Sequence, residues 1–226
     1  MIDIVIIAYN PDIIFIQDNL KKITGLEIIS KIFVVDNSIN ISSDISGNKI
    51  DYIPIGENIG IASAQNVGIK KSLENEKSEV LLLFDQDSVL SKSLIEGLYE
   101  NFKSLTLSQK NQIAAIGPTI IDSFTCKKDE PKFHNKHTVN GLSERREIIA
   151  SGKMILKANL SKIGLMEDEL FIDGVDHEWC WRARKKGYLI LVSSVTMVHT
   201  LGDSRLNVIG YNIRVGSPSR LYYQYR

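Results

Sequence analysis

Two aspartates one residue apart, Asp85-Gln86-Asp87, stand directly after the apolar run Val80-Leu81-Leu82-Leu83-Phe84 and ahead of a helical pattern that opens at Ser91. In extended backbone, residues two apart face the same side, so both carboxylates can meet one hard cation while Gln86 points away. An aspartate pair does not fill a coordination shell. Magnesium and manganese usually complete theirs with waters and substrate phosphates, so the pair implies a phosphorylated ligand. His199, at the end of Val195-Thr196-Met197-Val198, has two readings: a structural histidine, or a neutral imidazole that meets the same cation. A second acidic group, Asp173-Gly174-Val175-Asp176-His177-Glu178-Trp179, opens another helical pattern. Its carboxylates suit the positive end of a helix as caps. Asp173 and Asp176 are also three apart on one face, and partial burial would raise a carboxylate towards the pKa that a general base needs.

Such groups are useful only if separate elements bring them together. Ile2–Ala8, Lys31–Val35 and Val80–Phe84 are short, continuous apolar runs of the kind buried on both faces, with Ile50–Pro54 and Ile113–Pro118 as further strands. Helical patterns follow at about Asp12–Lys22, Ile61–Leu73 and Ser91–Lys103. Strands alternating with helices predict an α/β fold, a mainly parallel sheet with helices on both faces. Ligands of such sheets bind outside the carboxyl ends of the strands. Those ends read Ala8-Tyr9-Asn10-Pro11, Asp36-Asn37-Ser38 and Asp85-Gln86-Asp87-Ser88. Each could be turn and cap chemistry by itself; three polar ends at one crevice suggest a site.

At the entry to the second helical block, Asn58-Ile59-Gly60-Ile61-Ala62-Ser63-Ala64-Gln65-Asn66-Val67-Gly68 sets small residues where a loop enters a helix. This allows a close approach to backbone at a positive helix end, or simply a tight turn with small residues packed on the sheet. It matches neither a dinucleotide fingerprint nor a P-loop. Residues 120–146 break the rhythm and read as an exposed excursion, a hairpin or a loop. The pattern resumes at Ile148–Leu156, with helices at Lys157–Ile163 and Val175–Lys186 and a strand at Tyr188–Val192. We read one domain: a half formed by residues 1–118, an insertion at 119–147 and a second half at 148–226.

The 226 residues are 43% apolar, enough for a substantial core, and 27 basic side chains balance 27 acidic ones, which argues against a general nucleic-acid binder. The distribution is nevertheless polarised. From Arg182 to Arg226, eight Lys and Arg face one acid, Asp203, and all eight arginines lie after Ser143. Two cysteines, Cys126 and Cys180, without ligand spacing, fit a reduced cytoplasmic setting, and no run is long enough to span a membrane.

Taken in order, Ala8-Tyr9-Asn10-Pro11, Asp36-Asn37-Ser38, the Asn58 to Gly68 segment, Leu83-Phe84-Asp85-Gln86-Asp87-Ser88, the stretch from Phe171 to Tyr188 and His199-x-Leu201-Gly202-Asp203 resemble the family 2 glycosyltransferases of GT-A (Rossmann-like) fold. Within that family the chain is most similar to bacterial rhamnosyltransferases of O-antigen and capsular polysaccharide synthesis. The resemblance implies an inverting transferase that takes a sugar, L-rhamnose from dTDP-L-rhamnose in the first instance, to a saccharide acceptor on a lipid diphosphate. It implies that Ala8, Tyr9, Asn10, Asp36, Asn58, Gly60, Ala64, Asn66, Asp85 and Gln86 bind the nucleotide. Asp85, Asp87 and His199 would hold Mg²⁺ or Mn²⁺, and Asp176, or else Asp173, would be the base. Trp179, Arg205 and Arg220 would serve the acceptor or the diphosphate, with Arg214 among the basic residues facing an anionic bilayer. The resemblance further implies peripheral contact with the inner membrane, is compatible with a homodimer, and suggests a C-terminal tail beyond Tyr222-Tyr223-Gln224-Tyr225-Arg226. Rival readings are a transferase with a UDP-hexose donor and a nucleotide-binding partner protein without turnover. A nucleotidylyltransferase would carry a glycine-rich basic loop where Tyr9-Asn10-Pro11-Asp12 stands.

Overall fold

The computed structural model describes residues 1–41, 44–128 and 138–200, together with the backbone of two short strands, Ser204–Val208 and Tyr211–Val215. The chain runs β1 (Ile2–Ala8), α1 (Ile13–Ile23), β2 (Ile29–Asp36), β3 (Ile50–Pro54), α2 (Ile61–Glu74), β4 (Val80–Asp85), α3 (Lys92–Lys103) and α4 (Leu107–Lys110). It continues with β5 (Ile113–Asp122), β6 (Thr138–Val139), β7 (Leu142–Arg145), β8 (Lys153–Leu156), α5 (Lys157–Ile163), a single 3-10 turn (Asp168–Leu170), α6 (Val175–Lys185) and β9 (Leu189–His199). The two last strands, β10 and β11, form a separate antiparallel pair.

One nine-stranded sheet, in the order β3-β2-β1-β4-β8-β5-β9-β7-β6, organises the described residues. β1, β2, β3 and β4 run parallel, as the continuous apolar sequences of β1, β2 and β4 predict, with β3 a partly exposed edge strand. The sheet is mixed because β8 is inserted antiparallel between β4 and β5. That reversal puts the amino end of β8 beside the carboxyl ends of β1 and β4. Alternate residues of β1 serve two cores: Ile2, Ile4 and Ile6 pack with Ile16 and Leu20 of α1 and Leu94 and Leu98 of α3. Val5 and Ile7 pack on the other face with Ala62 and Ile69 of α2 and with Val175 and Trp179 of α6. Gly68 of α2 is required by this packing, since a Cβ there would fall 2.3 Å from Val5.

Two expectations need correction. The excursion after residue 119 is not wholly exposed: β5 runs on to Asp122, and β7 pairs antiparallel with β9 and buries Leu142. The two short runs at Tyr188–Val192 and Val195–Val198 are one eleven-residue strand, β9, whose register against β5 shifts between Gly117 and Thr119. Ser193 fills the irregularity: its hydroxyl accepts from Val195 N–H (3.0 Å) and from the Asn101 amide of α3 (3.0 Å). Polar residues in the middle of β9 hid the continuity.

Candidate functional site

The carboxyl ends of β1 and β4, the end of β9, the amino end of α6 and the loop before β8 surround a cleft of about 1450 Å³. Its walls include Ala8, Tyr9, Asn58, Gly60, Asp85, Gln86 and Asp87 on one side. Arg145, Arg146, Asp173, Asp176, His177 and His199 line the other.

Asp85 is the last residue of β4, but Asp87 is not on the strand. A turn, closed by Ser88 N–H donating to Asp85 C=O (3.0 Å), brings its carboxylate back. Gln86 does not point away: its side-chain oxygen accepts from Tyr9 N–H (2.7 Å) and ties the end of β4 to the end of β1. Asn19 of α1 fixes the same turn, donating to Ser88 C=O (3.1 Å) and accepting from Leu90 N–H (3.1 Å). The Asp85, Asp87 and His199 ligand atoms lie within 4.8 Å of one another. Three hard or borderline donors at that separation fit a divalent cation of the magnesium or manganese kind, which keeps further positions for water and phosphate. An orphaned atom supports the fit, because Asp85 Oδ1 is buried without a hydrogen-bond partner.

Asp85 Oδ2 accepts from the Ser151 hydroxyl (2.5 Å). Burial, the nearby Asp176 charge and Asp87 push the Asp85 carboxyl up to about 6, against the opposing effects of Ser151 and His199. Asp176, at the second position of α6, accepts from Ala150 N–H through Oδ2 (2.8 Å), while its buried Oδ1 has no hydrogen-bond partner. Lys153, with no exposed surface, places Nζ 3.6 Å from that oxygen. Burial alone would lower the Lys153 ammonium, but Cys180, Asp176 and Asp85 together carry it above its ordinary value. A third orphaned acceptor, Gln65 Oε1, belongs to another cleft residue. All three buried side-chain acceptors without partners among the described residues therefore sit at one cleft, where a ligand or cation would satisfy them.

The expected residues divide into those brought here and those that are not. Ala8, Tyr9, Asn58, Gly60, Gln86, Asp173 and Asp176 line the cleft together with Asp85, Asp87 and His199. Asp173 precedes the Gly174 cap and so lies before α6 rather than on its face. Asp36 is wholly buried, its oxygens accepting from Ser38 N–H (3.0 Å) and from the Tyr52 hydroxyl (2.5 Å); its neighbour Asn37 lines the cleft instead. Asn10 is exposed at φ 46° and is not among the lining residues. Ala64 is on the buried face of α2, and Asn66 is a structural tie that donates to Met166 C=O (2.9 Å) and accepts from Met166 N–H (2.9 Å). Trp179 has no exposed surface and its indole N–H donates to Gly164 C=O (2.9 Å), so it cannot touch an acceptor. Arg220 and the side chains of Arg205 and Arg214 lie outside the described residues.

Gly60 is glycine for a reason different from ligand approach. At φ +83°, a Cβ would fall 2.7 Å from Phe171 C=O and 2.5 Å from the Phe171 ring. That carbonyl accepts from Ile61 N–H (2.6 Å) and Ala62 N–H (3.3 Å), so the start of α2 is capped by the segment that leads to Asp173. Sequence reasoning missed Ser151 and Lys153, and only their place just before and within β8 could have marked them. It also missed Trp181, 45% exposed, whose indole N–H donates to Glu147 (2.5 Å) beside the Arg146 guanidinium.

No protein-family model matches the chain. A dTDP-rhamnosyl transferase, RfbF, of Shigella flexneri is 35% identical over 248 residues, an alignment that takes in 98% of this chain and 76% of that protein. Among solved structures, GalNAc-T7 with UDP, GalNAc and Mn²⁺ superposes with a TM-score of 0.67 at 12% identity over 89% of this chain and 44% of its own. S. aureus TarS 1–349 in complex with UDP-GlcNAc gives a TM-score of 0.64 at 14% identity over 90% of this chain and 59% of its own. The chain thus spans less than two thirds of either solved structure, and at these identities the likeness concerns the fold.

Proposed function

The chain belongs to the family 2 glycosyltransferases of GT-A fold, and from that premise we propose that it is an inverting, metal-dependent rhamnosyltransferase working from dTDP-L-rhamnose on a lipid-linked saccharide in bacterial surface-polysaccharide synthesis. One observation carries the reading. Asp85, Asp87 and His199 converge on the cleft that also holds Asp176, in a chain 35% identical to a dTDP-rhamnosyl transferase.

In this proposal the nucleotide binds on the side of residues 1–118, where Ala8, Tyr9, Asn37, Asn58, Gly60 and Gln86 line the cleft. Asp85, Asp87 and His199 would hold Mg²⁺ or Mn²⁺, which would supply positive charge to the departing diphosphate. Asp176 accepts the proton of the acceptor hydroxyl, with Asp173 as the alternative base. The hydroxyl oxygen then bonds to the anomeric carbon from the face opposite the diphosphate, the carbon–phosphate-oxygen bond breaks, and dTDP leaves; one displacement gives inversion. Residues 148–226 serve the acceptor, together with Arg145 and Arg146 of the cleft wall, and the exposed Trp181, beside the Arg146 guanidinium, takes the place expected of Trp179. The basic C-terminal third would rest on an anionic membrane surface.

Incubation with Mn²⁺ and a panel of dTDP-rhamnose, UDP-hexoses and GDP-mannose, read as nucleotide release, tests this. We expect dTDP-rhamnose to be consumed fastest. Asp176→Asn should keep donor affinity while transfer falls by about 10²- to 10⁴-fold. A preference for a UDP-hexose would replace the donor, and a near-normal Asp176→Asn rate would move the base elsewhere.

A further inference from the structure

Lys153 is a fully buried cation that the reaction outlined above does not use. A lysine without exposed surface is rare unless paired, because removing an ammonium from water costs several kcal/mol. Its surroundings show what keeps it there. Nζ lies 3.6 Å from Asp176 Oδ1 and 3.4 Å from Asp176 C=O, over the face of the buried Trp179 ring at 5.6 Å. Backbone pairing of Lys153 with Leu83 on β4 and a hydrogen bond from Lys153 N–H to Ala150 C=O (2.8 Å) fix its start. The other groups acting on it are Cys180 of α6 and Asp85 of β4.

The tetrapeptide Ala150-Ser151-Gly152-Lys153 thus reaches both acids of the cleft: Ala150 and Lys153 address Asp176, and Ser151 addresses Asp85. Asp85, Asp87, Glu147, Asp173 and Asp176 line the cleft along with Lys128, Arg145 and Arg146, and the cation ion-paired with Asp176 is Lys153. We propose that Lys153 is the internal counter-ion of Asp176, a positioning residue that holds this carboxylate in place from beneath and keeps it paired when a divalent cation is bound at Asp85 and Asp87. This deepens the transferase reading and, for the word base applied to Asp176, rests on it.

Two measurements on the intact chain test the proposal without turnover. The first is thermal stability in EDTA. Asp176→Asn strands a buried ammonium and should lower Tm, whereas Lys153→Met/Asp176→Asn should recover it, because no buried charge is then left unpaired. If Asp176 were merely one more acid crowded among acids, Asp176→Asn would raise Tm, and the proposal would be overturned. The second is Mn²⁺ binding by calorimetry without nucleotide. Lys153→Met removes a positive charge facing the site, so affinity should rise by roughly tenfold. Unchanged or weaker Mn²⁺ binding by folded Lys153→Met contradicts the counter-ion; if that variant does not fold, the Tm comparison of Asp176→Asn with wild type decides. With an active wild-type protein, Lys153→Met should lower kcat and leave the donor KM unchanged, and should add nothing on the Asp176→Asn background. An inactive wild-type protein would refute the transferase reading and leave the stability cycle to decide the ion pair.

Discussion

Asp85 links the electrostatics of the site to measurable behaviour. Its carboxyl is raised to about 6, with burial as the first cause and Asp176 as the second. A carboxyl raised on folding binds its proton more tightly in the native state. Its contribution to stability is therefore present below the ordinary value of 3.8 and is lost as pH rises through about 6. In EDTA, wild-type Tm should fall more between pH 5 and pH 7 than that of Asp85→Asn, the difference corresponding to about 1 kcal/mol. Mn²⁺ should restore wild type above pH 6 and do little for the variant. Equal pH slopes for the two proteins would show that Asp85 is not the strained group. Much of this site was legible in the residues, since Asp85, Asp87, Asp176 and His199 all line one cleft. What the residues did not disclose was the turn that returns Asp87, or the support from Ser151 and Lys153. Those depend on which strand neighbours which, and that is not a local property.

At the scale of elements, the expected parallel order of β1, β2, β3 and β4 is present, and the apolar runs of β1, β2 and β4 are buried whereas β3, at the edge of the sheet, is partly exposed. The antiparallel β8 was unreadable, since four buried residues, Lys153-Met154-Ile155-Leu156, carry no mark of direction. Trp179 and Trp181 show the same limit: two tryptophans separated by one residue on α6, one sealed in the core and the other 45% exposed. Helical phase separates them, but only the packing of α6 on the sheet says which faces inward. Asn19 joins elements far apart in sequence, holding the turn after β4 from within α1. Asn19→Ala would leave Ser88 C=O and Leu90 N–H buried without partners, at about 2–4 kcal/mol together. We expect a lower Tm together with weaker Mn²⁺ binding, although Asn19 touches no candidate ligand. A stability loss with unaltered Mn²⁺ affinity would show that the Asp87 turn holds itself.

The whole molecule divides its charge unequally, with +7 between Arg182 and Arg226 and the compensating charge before it. None of the described helices is long and apolar enough to cross a membrane. Joint neutralisation of Arg205, Arg214 and Arg220 should weaken binding to vesicles containing anionic lipid, at about 1 kcal/mol per charge. Unchanged sedimentation with such vesicles would make this basic third an ordinary solvated surface. The account as a whole depends on a divalent cation joining the Asp85 and Asp87 carboxylates to the phosphates of a sugar nucleotide. Calorimetric titration of dTDP into the folded protein, with Mn²⁺ and then with EDTA, addresses this directly. We expect binding at least tenfold tighter with Mn²⁺, and no such difference in Asp87→Ala. Equal affinity with and without the cation, or a full Mn²⁺ effect retained in Asp87→Ala, would contradict it.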